Sequence, residues 1–302
     1  MRRLSCHVRD YRAVGFDAVW VPDHIVIPRN VTSVYPYAPD GVSTWKPDGP
    51  FLEPLAALNF LAGCTRRVRL GTQVLIIPYR HPLLAAKQLA TLDVLSGGRL
   101  ILGAGVGWME EEFQALGLDT YAQSGAVTEE YLRLFKALWT EKDPVFQGKY
   151  YQVSGIGFEP KPVQQPHPAI WIGGHTTAAL RRAAQLGDGW IPLGNIPPAV
   201  FEPAELQTKI VRLRELTRHA GRPDNAICVG FGGAVSFDAA TGPERRRLSG
   251  HPEQIAADSR EYQAVGVQDF TLMFVFLESS GTERLKAMER FACEVVPLVR
   301  SD

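Results

Sequence analysis

The sequence predicts an α/β fold built on a parallel sheet, either a closed (β/α)8 barrel or an open doubly wound sheet, and three observations carry this expectation. Short apolar, β-branched-rich runs alternate with amphipathic stretches along the chain. The runs are apolar on both faces, as strands covered by packed layers require. Gly (28) and Pro (22) recur between the runs instead of pooling in a linker, so they act as punctuation.

In chain order the expected strands are Ala18–Val21, Val68–Leu75, Leu100–Ala104, Ala169–Ile172, Gly189–Pro192, Ala226–Phe231 and Asp269–Phe276. Residues Leu4 to Ala13 read as a helix that ends at Gly15. Val127, Tyr131, Leu134, Phe135 and Leu138 share one helical face, with Glu129, Glu130, Arg133 and Lys136 opposite. Leu285, Met288, Ala292, Val295, Val296 and Val299 repeat the pattern, which predicts that the last helix joins the core. Residues 143–168 carry Pro144, Gly148, Pro160, Pro162, Pro166 and Pro168 around a hairpin-like piece and read as an insertion within one domain spanning 1–302. Seven strands are one short of a closed barrel, so the first strand is lacking in this chain or the sheet keeps an unpaired seam.

Lys+Arg and Asp+Glu both number 32, which leaves no global field to draw nucleic acid or an anionic membrane surface. No run reaches the length of a membrane span, and the start has no apolar signal segment. Cys6, Cys64, Cys228 and Cys293 form no C-x-x-C pair, which argues against a zinc knuckle or disulfide framework and for a cytoplasmic location.

Asp23 and His24 follow a strand and a proline, at the end of a barrel strand where such folds carry chemistry. Histidine suits proton transfer near neutral pH, while the plain reading is a pair that caps a loop. No second ligand stands at metal spacing; His81 and His175 are isolated. Gly103, Gly105, Val106, Gly107 and Trp108 follow the third run, and the glycines either let backbone approach a planar ligand or make a structural turn. The G-x-G-x-G spacing is not the dinucleotide fingerprint. Gly173, Gly174 and His175 end a strand and open a helix over Thr177–Leu186, a place for a phosphate or only a helix start. Gly187 to Trp190 reads as a tight helix-to-strand turn.

In order and spacing, FDAVWVPDH, VRLGTQVLIIPYRHP, GGRLILGAGVGWMEEEFQALG, PAIWIGG, GDGWIPL, SGHPEQIA and MERFACEVVPLVR resemble the luciferase-like monooxygenase family, in particular its coenzyme F420-dependent oxidoreductases. The resemblance implies a luciferase-like (β/α)8 TIM barrel that binds a deazaflavin or FMN at its mouth, the tail phosphate lying at Gly173, Gly174 and His175. It places Asp23 and His24 beside the reactive ring position, with His24 as proton donor or hydride-site partner. It implies a non-prolyl cis peptide at Gln73–Val74 behind the ring, and a lining of Gly105, Val106, Gly107 and Trp108. Some relatives carry a carboxylate where this chain has Trp108, so that role is open. Glu110, Glu111 and Glu112 lie nearby and are expected to form mostly a solvated face. Relatives place a strand before the helix that leads into AVGFDAVW, and no such run is present here.

The resemblance implies a hydride exchange between F420 and a small organic substrate. The alternatives are an FMN-dependent monooxygenase fed by a separate flavin reductase, and a cofactor-binding paralogue without turnover. Basic residues at the mouth would favour the acidic tail of F420, with Arg80, His81, Arg181 and Arg182 as candidates. Residues 25–50, with Tyr35, Tyr37 and Trp45, are either an aromatic lid or a packed surface loop. A homodimer is expected by resemblance.

Overall fold

The computed structural model describes residues 15–43, 45–237, 245–274 and 281–300. Strand β1 (Ala18–Val21) leads through a long loop to helix α1 (Pro54–Cys64), and β2 (Arg69–Thr72) and β3 (Leu75–Ile76) precede α2 (Pro82–Ser96). Next come β4 (Leu100–Gly105), α3 (Glu110–Ala115), α4 (Ser124–Thr140) and the hairpin β5 (Phe146–Gln147) and β6 (Gln152–Val153). The chain continues with β7 (Ala169–Gly173), α5 (Thr177–Leu186), β8 (Gly189–Ile191), the hairpin β9 (Asn195–Ile196) and β10 (Ala199–Val200), and α6 (Pro203–His219). It ends with β11 (Cys228–Ala234), α7 (Pro252–Ala264), β12 (Asp269–Met273), α8 (Gly281–Arg290), a π-helical turn at Phe291–Val295 and α9 (Val296–Arg300). The helix expected over residues 4–13 lies outside the described residues.

Each of the seven expected runs contains a strand, and all pair in parallel in the order β1-β2-β4-β7-β8-β11-β12, with β3 also on β4. This mostly parallel sheet curls until it is nearly a barrel, with helices outside. The second run is split: Gln73 and Val74 leave the ladder between β2 and β3. The seven expected strands leave the expected seam, because among the described residues β1 and β12 are the two edges and do not pair. Side chains span this seam. Phe16, before β1, meets Phe274 at 5.8 Å and Phe291 at 6.2 Å between ring centroids, and Phe274 and Phe291 meet at 5.7 Å. That cluster ties the final helical segment to the core through Phe291 and Val295, while α8 itself buries no residue fully.

The helices start and stop for local reasons. Glu53 caps α1 by accepting from the Ala56 amide, with Pro54 in the first turn; Gly97 ends α2 in the left-handed region at φ 68°. Helix α4 buries Val127, Leu134, Phe135 and Leu138, as its period predicts. Inside the barrel, Trp20 and Trp171 meet at 5.6 Å. Glycine is required beside them: a Cβ at Gly71 would lie 2.3 Å from Trp20, and one at Gly230 would lie 2.9 Å from Trp171. The bulky indoles thus fill part of the barrel interior, packed with Ile101 and Ile191.

Among the described residues no helix is long and apolar enough to cross a membrane, and no group of three or more His, Cys, Asp and Glu could hold a metal ion.

Candidate active site

Strand β1 delivers Asp23 and His24 to the mouth, where both are buried, at 4% and 7% exposure. Asp23 accepts the Ile76 amide at 2.8 Å and a two-pronged pair from Arg80 at 2.6 and 2.9 Å. Burial raises its carboxyl above the usual range, and the Arg80 hydrogen bonds and charge oppose that rise. Arg80 also donates to Glu53 at 2.8 Å. Asp23 is therefore tied to β3 and the turn after it.

His24 is held by a residue expected in solvent. Glu112 is fully buried, and its Oε2 lies 2.6 Å from His24 Nδ1. The same oxygen accepts the Tyr79 hydroxyl at 3.0 Å, and Oε1 accepts the Ile25 and Val26 amides at 2.7 and 3.2 Å. Facing the Glu112 carboxylate, Nδ1 carries a proton, and Nε2 is the ring edge left for proton exchange. Burial pushes the Tyr79 hydroxyl well above its ordinary range, with the Glu112 charge adding to it, so Tyr79 stays a donor.

The expected solvated face thus holds only for Glu110, which is exposed. Glu111 accepts the Thr32 amide and hydroxyl at 2.7 Å each and the Ser33 amide at 3.0 Å, clasping the long loop after β1. These bonds overcome burial and hold its carboxyl down at about 2. A sequence signal for Glu112 existed: Met109, Glu112, Phe113 and Leu116 recur at i, i+3, i+4 and i+7, so the helical period turns Glu112 inward.

The peptide Gln73–Val74 is cis and not prolyl, as the resemblance implied. Val74 projects between two strands: a Cβ on Gly105 would lie 2.3 Å from Val74 Cγ2, and one on Gly173 would lie 2.6 Å from Val74 Cγ1. Both glycines make room for this protein's own valine, so close ligand approach is not what requires them. Gly107 has φ 86° and abuts Phe113, which leaves Val106 and Trp108 as the side chains of this turn with partial exposure.

Residues 25–50 cover the mouth, which decides between lid and packed surface loop. Trp45 and Phe51 lie 5.6 and 5.5 Å from the His24 ring, and Trp108 lies 6.3 Å from it. Tyr35 meets Trp108 at 4.9 Å and Tyr37 at 5.8 Å, and Tyr37 meets His175 at 6.1 Å. The loop therefore links the His24 end of the mouth to the Gly173–His175 end.

At that second end, Thr176 caps α5 and Gly174, at φ 92°, accepts the Trp190 indole N–H at 2.8 Å. Gly187 to Trp190 is the expected tight turn, closed by Asp188 against Ile170. Burial lowers the His175 pKa, and the Lys209 charge adds to that, so the ring is neutral at pH 7. His175 Nδ1 and Gln73 Nε2 are buried polar atoms with no hydrogen-bond partner among the described residues. Two basic candidates are corrected. Arg80 is held by Asp23 and Glu53, and Arg182 is buried against Glu129 at 3.2 Å. Lys209, which sequence reasoning passed over, is the cation beside His175.

The family model described as luciferase-like monooxygenase matches residues 2–241. An uncharacterized protein of Mycobacterium tuberculosis is 35% identical over 70% of this chain and 69% of its own. The FMNH2-dependent dimethylsulfone monooxygenase of Pseudomonas putida is 27% identical, with 82% of this chain and 78% of its own covered. Among solved structures, an F420-dependent secondary alcohol dehydrogenase in complex with an F420-acetone adduct aligns with a TM-score of 0.76 at 17% identity, covering 99% of this chain and 95% of that one. At that identity the likeness speaks for the fold alone.

Proposed function

Because the chain belongs to the luciferase-like monooxygenase family, we propose that it is an F420-dependent oxidoreductase acting on a small organic substrate, with His24 moving the proton that accompanies hydride transfer. The observation that carries this reading is the hydrogen bond between His24 Nδ1 and buried Glu112, which leaves Nε2 as the proton-exchanging edge. When bound, the deazaflavin would supply the hydride donor or acceptor. The protein would supply orientation and the proton: Nε2 takes it from a substrate hydroxyl in the oxidising direction and returns it to a carbonyl oxygen in the reducing direction.

The residues present fit such a group. Val74 is wedged behind the mouth by Gly105 and Gly173, a firm apolar support for a flat ring system. Gln73 Nε2 and His175 Nδ1 are buried polar atoms whose hydrogen-bonding capacity is unused, and a polar ligand would satisfy it. Lys209 supplies positive charge near Gly174 and His175 for a phosphate or an acidic tail. Asp23 holds Arg80 and the Ile76 amide and would act as a positioning residue.

A second reading, an FMN-dependent monooxygenase with a separate reductase, is favoured by the Pseudomonas putida relative, which spans most of the chain. Titration of the purified protein with F420, and separately with FMN, followed by fluorescence, decides between the two. Saturable F420 binding that weakens on Lys209→Glu, together with F420-linked turnover that is lost on His24→Asn, supports the proposal. Binding of FMN alone establishes the second reading, and tight F420 binding with no turnover of any substrate identifies a non-catalytic paralogue.

A further inference from the structure

Aromatic rings crowd the approach to His24, and the charged groups beside it are already paired. Trp45, Phe51 and Trp108 surround the imidazole at 5.5 to 6.3 Å, and Tyr35 extends the group from Trp108. These pairs are tilted or edge-on, with interplanar angles from 57° to 85°, so none closes its flat face by stacking on another. Asp23 is neutralised by Arg80, Glu112 is saturated by His24, Tyr79 and two amides, and Glu111 accepts the Thr32 and Ser33 donors through Oε1. An anionic substrate entering here would lose hydration without gaining a free counter-ion, because Arg80 is already held by Asp23 and Glu53. The rim repeats the theme: Ile25, Val26, Trp45 and Leu52 are exposed by 38%, 42%, 36% and 62%.

We infer that the substrate is a neutral aromatic compound, bound with its ring among Tyr35, Trp45 and Trp108 and its reacting hydroxyl or carbonyl group at His24. The reacting group rests on the redox reading above; recognition of the ring does not, because it depends on side chains of the lid and of Trp108 alone. Tyr35 and Trp45 are then specificity-determining residues carried by a loop that Glu111 and Glu112 clasp in place.

The test is calorimetric binding of three probes to the full chain, first alone and then with F420: acetonaphthone, neutral and aromatic; naphthoate, its charged counterpart; and octanone, neutral and aliphatic. Saturable binding of acetonaphthone, about tenfold or more tighter than either other probe, is expected, in line with aromatic contact and charge desolvation. Tyr35→Ala and Trp45→Ala should each weaken it by about threefold to tenfold, while Tyr35→Phe, which keeps the ring, should restore it. Equal or tighter binding of naphthoate or octanone overturns the inference, as does acetonaphthone binding that neither alanine variant changes in folded protein. Failure of F420 to bind while acetonaphthone binds as expected removes the redox reading and leaves the aromatic site standing. Octanone preference in a protein that turns over with F420 does the reverse.

Discussion

His24 and Glu112, 88 positions apart in sequence, meet at 2.6 Å through Nδ1 and Oε2 beneath the mouth of the sheet. The carboxylate gathers four donors from two separate segments: the imidazole and two amides after β1, and the Tyr79 hydroxyl from the turn before α2. One side chain of α3 therefore sets the imidazole's tautomer and fastens the start of the lid. Its full burial makes the arrangement stringent, since the buried side chains of His24 and Tyr79 lose their partner without it.

Replacing Glu112 by Gln substitutes an amide that cannot accept at both of its ends. Stability in urea should fall by about 1–3 kcal/mol, the penalty of a buried donor left unpaired. Turnover should fall by about tenfold or more while cofactor affinity changes by less than about twofold, because the imidazole loses its orientation and not its contact surface. Unchanged turnover in a folded variant would mean that His24 does not depend on this carboxylate.

The Glu111 clasp predicts a pH dependence. Its carboxyl has an ordinary value of 4.5 that the hydrogen bonds to Thr32 and Ser33 depress to about 2, so the folded state favours the ionised form. The resulting stabilisation is complete above about 4.5 and is lost as pH falls toward about 2. The stability difference between the native protein and Glu111→Ala, measured by urea unfolding, should be constant near neutrality and shrink across that acid window. A difference that grows there would contradict the sign of the shift.

Val74 and its two glycines form a packing unit that can be tested by a double-mutant cycle. Gly173→Ala places a Cβ 2.6 Å from Val74 Cγ1 and should destabilise the protein by about 1–3 kcal/mol through overpacking. Combined with Val74→Ala, the loss should be smaller than the sum of the two single losses by about 1 kcal/mol, since the collision is removed. Simple additivity would show that the valine is not what the glycine accommodates.

The pair between Asp23 and Arg80 is buried, with side-chain exposures of 0% and 9%. Removing only the cation, as in Arg80→Met, should cost about 3–5 kcal/mol at pH 7 because an uncompensated carboxylate remains inside. Adding Asp23→Asn should recover much of that loss. Equal instability of the single and double variants would show that the guanidinium acts through packing and not through charge.

The strand runs were legible because each is a local apolar pattern bounded by turn residues. Ala18–Val21 and Leu100–Gly105 sit where the runs predicted them, and α5 occupies the expected Thr177–Leu186. Asp23 and His24 were legible because strand ends at one face of such a sheet are where side chains converge. The partners of His24 were harder to find. Three consecutive glutamates read as a solvated face, although the i, i+3, i+4, i+7 spacing of Met109, Glu112, Phe113 and Leu116 turned one of them inward. Arg80 looked like a free cation at the mouth because nothing near it in sequence announces Asp23 as its partner.

The α/β alternation and the family were readable from the chain alone, since periodicity, turn chemistry and motif order are written in short segments, and the same segments offered the candidate residues at the strand ends. Only the tertiary structure decided that Glu112 is buried under His24, that residues 25–50 lay aromatic rings across the mouth, that Gly105 and Gly173 yield space to Val74, and that β1 and β12 do not pair. The physical reason is common to all four: each depends on which distant surfaces are brought together, and therefore on which polar groups lose water and must find a partner in another part of the chain.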